Sequence, residues 1–144
     1  MQMFKIAIVI LRLGLGGLFI YAGVQKFIPK PPRPQTEMSA DLPDSVVKIK
    51  AYIQGLKQTG YFWPLLGAVE FVSGALLISQ YLALLGAVFL MPVTLNIFLF
   101  HLFLKPHETD DLILTALYLL ANMAIIAWHY PSLKATFLNF KTIY

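Results

Sequence analysis

Cysteine is absent from the 144 residues, so the chain forms no disulfide, holds no thiolate-bound metal and runs no dithiol redox cycle of its own. Charge is almost as scarce. Asp and Glu number 7 and Lys and Arg 11, together 12% of the chain, about half the share of an ordinary soluble domain. Also missing are any glycine-rich phosphate loop, nucleophile elbow, zinc signature or dinucleotide fingerprint, which sets nucleotide chemistry aside. What is abundant is apolar, at 58% of residues. A soluble fold of this size covers only around 70% of the surface its unfolded chain exposes. The surplus therefore has to meet lipid, and the sequence reads as a single integral membrane domain.

The basic balance, +4 at neutral pH, does not point to nucleic acid, because the Lys and Arg residues sit in loops and at helix ends and form no stripe. Anionic headgroups explain them better.

The spacing predicts an all-α four-helix membrane bundle. Ile6–Ile28 is apolar apart from Arg12, Gln25 and Lys26 and reaches about 34 Å at 1.5 Å per residue. It exceeds a signal-peptide core and lacks a small-x-small cleavage site, so it is read as a retained span. Prolines at 29, 31, 32, 34 and 43 keep the following segment extended. Between Ser45 and Thr59, Val46, Ile49, Tyr52, Ile53 and Leu56 fall at helical spacing while Lys48, Lys50, Gln54 and Lys57 face elsewhere. With Asp44 as N-cap and Gly60 as stop, this predicts an amphipathic helix in the interface within the stretch 29–60. Further spans are expected at 62–79, 81–104 and 112–128. The second and third are joined so tightly at Gln80 that they must form a hairpin. Pro92 is expected to kink the third, Pro131 to end the fourth, and a polar tail to follow. Basic residues occur on both sides of this arrangement, so their count leaves its orientation open.

Four constellations carry candidate chemistry. Gly67, Glu70 and Gly74 share one helical face, and a carboxyl inside a span must look into the bundle, where it either serves a site or fixes packing. Arg12 and Lys26 bracket a face with Gly16, Gly17 and Gly23 that suits close packing, and Arg12 alternatively snorkels to headgroups. Asn96 and His101 follow Pro92, yet five residues set them about 140° apart on a regular helix. Asp111, Thr115, Tyr118, Asn122 and His129 make an inward polar stripe whose plainest role is hydrogen bonding between helices. Helix rise puts Glu70 and Asn96 about 12 Å below the loop face, Tyr118 about 9 Å and Asn122 about 15 Å, with Lys26 and His101 above them as an entrance. The expectation is one polar pocket of Glu70, Asn96, His101, Tyr118, Asn122, Lys26 and Arg12. Within it Glu70 bonds to Asn96 or Tyr118, and Lys26 is its nearest cation in preference to Arg12. A bis-histidine haem is disfavoured because His101 and His129 lie near opposite faces, and no metal is expected.

The run Arg12-Leu-Gly-Leu-Gly-Gly-Leu-Phe-Ile-Tyr-Ala-Gly23-Val-Gln-Lys26-Phe, then Gly67-Ala-Val-Glu70-Phe-Val-Ser-Gly74, resembles the DoxX family of small bacterial four-helix membrane proteins. The segment from Pro92 through Asn96 to His101 is similar to that family's third span. The resemblance covers most of the chain and implies a multi-pass protein of the bacterial inner membrane with cytoplasmic termini. It also implies a link to quinone-dependent oxidoreductase assemblies. Arg12, Lys26 and Glu70 carry over by motif, without roles. The expectation is a membrane subunit of a redox-associated assembly in which quinone is the candidate cofactor, the alternative being a non-catalytic scaffold or assembly subunit; whether it catalyses anything is open. Its partners are then the lipid bilayer together with other membrane subunits or further copies of itself.

Overall fold

A computed structural model describes residues 2–29 and 43–137. The proline-rich stretch 30–42 and the last part of the expected tail lie outside the described residues. Six helices follow one another: α1 (Gln2–Phe27), α2 (Asp44–Gln58), α3 (Phe62–Ile78), α4 (Ala83–Leu104), α5 (Thr109–Trp128) and α6 (Tyr130–Phe137). α1, α4 and α5 are each long and apolar enough to cross a membrane by themselves. α3, with 17 residues, spans about 25 Å by helix rise and completes the four-helix bundle between α1 and α4.

The bundle's exterior is apolar. Met3, Phe4, Ile10, Tyr21, Leu65, Phe103, Leu117 and Leu120 all stand open, while only 17–33% of the most apolar stretch of α1, α4 and α5 is covered by the protein itself. Such a surface is lipid-facing, and it leaves the hydrophobic effect little role in holding the helices together. Backbone proximity takes that role. α1 and α3 run antiparallel and touch at two points: a Cβ at Gly74 would lie 2.6 Å from the Gly16 carbonyl, and one at Gly23 would lie 2.6 Å from the Gly67 carbonyl. Gly16 and Gly23 on α1, and Gly67 and Gly74 on α3, are each seven residues apart, two turns of one face. On the other side of α3, a Cβ at Gly86 of α4 would meet the Ser73 carbonyl and the Leu77 nitrogen at 2.7 Å. Gly17, expected on the same face as Gly16, instead has nothing within 4 Å and faces outward. The small core around these contacts is Leu15, Phe19, Leu77, Ala87, Leu90, Val93 and Ile125.

α2 lies across the loop face at 88° to α3. Gly60 turns the corner at φ 74°, a value open to glycine without strain. Thr59 finishes both helices, its hydroxyl donating to the Leu56 carbonyl (2.8 Å) and accepting from the Phe62 N–H (3.1 Å). Ile49 and Ile53 are half-buried and Lys50 and Gln54 exposed, as an interfacial helix requires.

Several boundaries differ from the sequence expectation. Pro43, not Asp44, caps α2, its carbonyl accepting from Val46 (2.8 Å). Asp44 becomes the first helical residue, where its charge suits the positive end of the helix dipole. The same preference draws Asp110 and Asp111 into the first turn of α5, which starts at Thr109 instead of Leu112. α5 ends at Trp128 as expected, but a short helix α6 follows it, with Pro131 in its first turn, a position that needs no N–H. α4 remains one helical element through Pro92.

Candidate functional site

The close approach of α1 to α3 determines what happens to Glu70. With Gly67 beneath it, α1 comes near enough that the Lys26 Cβ lies 2.9 Å from where a Gly67 Cβ would stand. The Lys26 ammonium then reaches the Glu70 carboxylate at 2.5 Å. Glu70 is 2% exposed and Lys26 15%, so the pair is largely closed over by protein. Trp63 lies beside it. The Lys26 ammonium stands 5.5 Å and the Lys57 ammonium 4.9 Å from its ring centroid, so the indole is flanked by two cations. Lys26 is thus the cation of Glu70. Nothing in the spacing of the sequence marks Trp63 or Lys57 as part of a site with Glu70.

The expected single pocket is not what forms. Asn96 is exposed and turned to α2, donating to the Tyr52 hydroxyl at 3.0 Å while Tyr52 packs on Phe100 at 5.5 Å between centroids. Tyr118 meets Phe19 edge-on at 6.4 Å. Neither reaches Glu70. Equal expected depth leaves azimuth open: Asn96 stands six residues, about 240°, round from the buried Leu90.

Asn122 makes a separate, buried polar contact. Its amide donates to the Ala87 carbonyl (3.1 Å) and the Thr94 hydroxyl (3.4 Å), and it touches the Met91 sulfur. The Thr94 hydroxyl donates in turn to the carbonyls of Leu90 and Met91 just before and within the turn broken by Pro92. Of the α5 stripe, only Asn122 bonds across helices in this way; Thr115 and His129 turn back to carbonyls of their own helix.

His101 belongs to neither group. Its Nδ1 faces the Ile97 carbonyl at 2.9 Å, and its Nε2 is 4.0 Å from Asp111 in the first turn of α5. Lys105, just after α4, pairs with Glu108 (2.5 Å) and Asp111 (3.6 Å), and its bond to Glu108 holds the ammonium above the usual lysine range. Among the described residues no group of three His, Asp or Glu side chains is placed to hold a metal. Arg12 is buried in α1 without any of these partners.

Two grooves mark the surface. The larger, about 330 Å³, lies between α3 and α4 and is lined by Ala68, Val69, Val72, Ser73 and Phe89. Its one polar side chain is Ser73, one turn from Glu70, whose buried hydroxyl has no hydrogen-bond partner. The smaller, about 180 Å³, runs beside Tyr52, Asn96 and Phe100.

A family model, DoxX, matches residues 7–102, two-thirds of the chain. The match takes in nearly all of α1 and the whole of α2 and α3, and ends two residues before the end of α4. No curated protein and no solved structure matches the chain.

Proposed function

Since this chain belongs to the DoxX family, we propose that it works as an integral membrane subunit of a redox-associated assembly, and that the α3–α4 groove holds a quinone or another small amphipathic molecule taken from the bilayer. The observation that carries this reading is the Ser73 hydroxyl, buried and unpartnered among the described residues, on a side chain that lines an otherwise apolar groove. A buried hydroxyl without a partner is costly, and a ligand carbonyl would relieve it. Val69, Val72 and Phe89 suit the faces of a ring, and the groove's volume is at the small end of ordinary ligand sites. The residues present therefore fit a quinone headgroup, which when bound supplies reversible two-electron acceptor chemistry. Ser73 donates the hydrogen bond that orients the ring, the apolar walls exclude water, and Lys26 and Glu70 hold a fixed charge pair nearby. We place the protein in the bacterial inner membrane with both termini cytoplasmic.

The test is purification of the full chain in mild detergent with a ubiquinone analogue added, followed by mass spectrometry of bound lipids and co-purified chains. Retention of the analogue by the wild type and its loss in Ser73→Ala supports the reading. A wild type that retains none overturns it. A second reading, a non-catalytic assembly subunit, is favoured by the closure of the Lys26–Glu70 pair, which leaves Glu70 acting as a lock between α1 and α3. Co-purified redox subunits without bound quinone would select it.

A further inference from the structure

Arg12 is 8% exposed, its Nε is shut away from solvent with no acceptor among the described residues, and no carboxylate there lies within ion-pair distance. A buried charge in a membrane span calls for a counter-charge. Among the described residues no acidic side chain supplies one. Asp44, Glu108, Asp110 and Asp111 are at the loop face, and Glu70 is occupied by Lys26. Among the described residues, the end of the bundle where α1 begins carries Lys5 and Lys134 and no acidic side chain. The last turn of α3 is close, since a Cβ at Gly16 would stand 2.8 Å from Ile78. The partial negative charge of a helix C-terminus, about half a unit, still leaves the Nε proton without an acceptor.

We propose that Arg12 forms a binding site for the phosphate group of an anionic phospholipid in the leaflet nearest the N-terminus. Helix rise puts the Arg12 Cα about 9 Å inside Ile6, and side chains on a helix lean towards its N-terminus. That lean, with the length of the arginine side chain, gives the guanidinium reach towards the headgroup level. Its planar fork matches two phosphate oxygens. Lys5, seven residues earlier and exposed, is on the same side of α1 and adds a second cation at the headgroup. Met3, Phe4, Ile6 and Ile10 beside it are exposed apolar surface for the acyl chains. This site is independent of the α3–α4 groove.

Native mass spectrometry of the full chain, titrated with phosphatidylglycerol and with diacylglycerol of the same acyl chains, tests the proposal. Phosphatidylglycerol should bind the wild type, bind Arg12→Gln about tenfold to a hundredfold more weakly, as loss of hydrogen bonds to a charged group predicts, and bind Arg12→Lys with intermediate strength. Lys105→Gln, on the opposite face, should bind as the wild type does, and diacylglycerol should not distinguish the variants. Phosphatidylglycerol should also raise the thermal midpoint of the wild type and of Arg12→Lys but not that of Arg12→Gln. Equal phosphatidylglycerol affinity in wild type and Arg12→Gln overturns the proposal and leaves the cation to an acidic side chain of a partner. Displacement of the lipid by inorganic phosphate overturns the lipid assignment. A midpoint lowered in Arg12→Gln by the same amount with and without lipid marks a purely structural arginine.

Discussion

Replacing Gly74 by alanine puts a methyl group 2.6 Å from the Gly16 carbonyl oxygen and 2.9 Å from the Ile20 nitrogen, where ordinary contact begins near 3.4 Å. Both obstacles are backbone, so no side chain can turn aside, and α1 has to retreat by about 0.8 Å at that point. A gap of that size forfeits a quarter to a half of the attraction across the affected contacts, and overpacking of this kind costs about 1–3 kcal/mol. The same substitution also gains helix propensity, close to 1 kcal/mol. Gly17→Ala has that gain without the clash, since Gly17 has nothing within 4 Å. The difference between the two variants therefore isolates the packing cost, and Gly74→Ala should unfold several degrees below Gly17→Ala. Thermal unfolding in mild detergent, followed by the fluorescence of Trp63 above the α1–α3 contact, reads this directly. Equal midpoints for the two variants would refute the idea that backbone contact through Gly16 and Gly74 holds α1 to α3.

Breaking the Lys26–Glu70 pair from one side, by Lys26→Met or Glu70→Gln, leaves a buried group without its partner and should cost about 3–5 kcal/mol, while the double variant should recover part of that loss; strictly additive midpoints would show the pair is not coupled. Tyr52→Phe removes the hydroxyl that ties α2 to Asn96 and should raise amide hydrogen exchange in α2 about fivefold with little change in α3; an unchanged α2 would mean that Ile49 and Ile53 alone hold it down. With no native cysteine, Lys50→Cys and Lys134→Cys make single reporters, and a membrane-impermeant thiol reagent should label them from opposite sides of intact cells. Labelling of both from one side would be incompatible with four crossings.

The fold was readable because its signals are compositional and periodic. Long apolar runs gave the spans, the Ile49–Ile53 face gave α2, and the glycine spacings on α1 and α3 marked each as a close-packing face without saying which neighbour it meets. The preference for Lys26 over Arg12 as the cation of Glu70 followed from reach, whereas the expected bond from Glu70 to Asn96 or Tyr118 does not form. What misled the site reading was the step from equal depth to shared cavity. Asn96, Tyr118 and Asn122 lie near one height yet face α2, Phe19 and α4 respectively. Only the rotation of each helix about its axis decides that, and residues of such even hydropathy hardly specify it. The corner at Thr59 had a legible signal that was passed over: a hydroxyl three residues before Phe62 can cap the following helix while closing the preceding one.

α3 explains why a short bundle can carry polar groups in lipid at all. It is the shortest of the four crossing helices and the one that both α1 and α4 approach through glycine. Without close backbones, the reach from Lys26 to Glu70 would lengthen, and lipid or water would enter beside a charge. With them, the pair stays 2.5 Å apart and nearly sealed. The same closeness on the α4 side leaves Ser73 with its carbonyl pressed against Gly86 and its hydroxyl buried without a partner among the described residues. The locked acid and the unpartnered hydroxyl thus lie one turn apart on neighbouring positions of one helix. A ligand drawn to the hydroxyl would lie against the helix that holds the ion pair. If the protein responds to such a ligand, the response has to pass through the tilt of α3 between its two glycine contacts. Gly86→Ala, which presses on the groove side, and Gly74→Ala, which presses on the ion-pair side, should then alter ligand retention in different degrees, and identical effects would indicate a helix that merely separates from its neighbours.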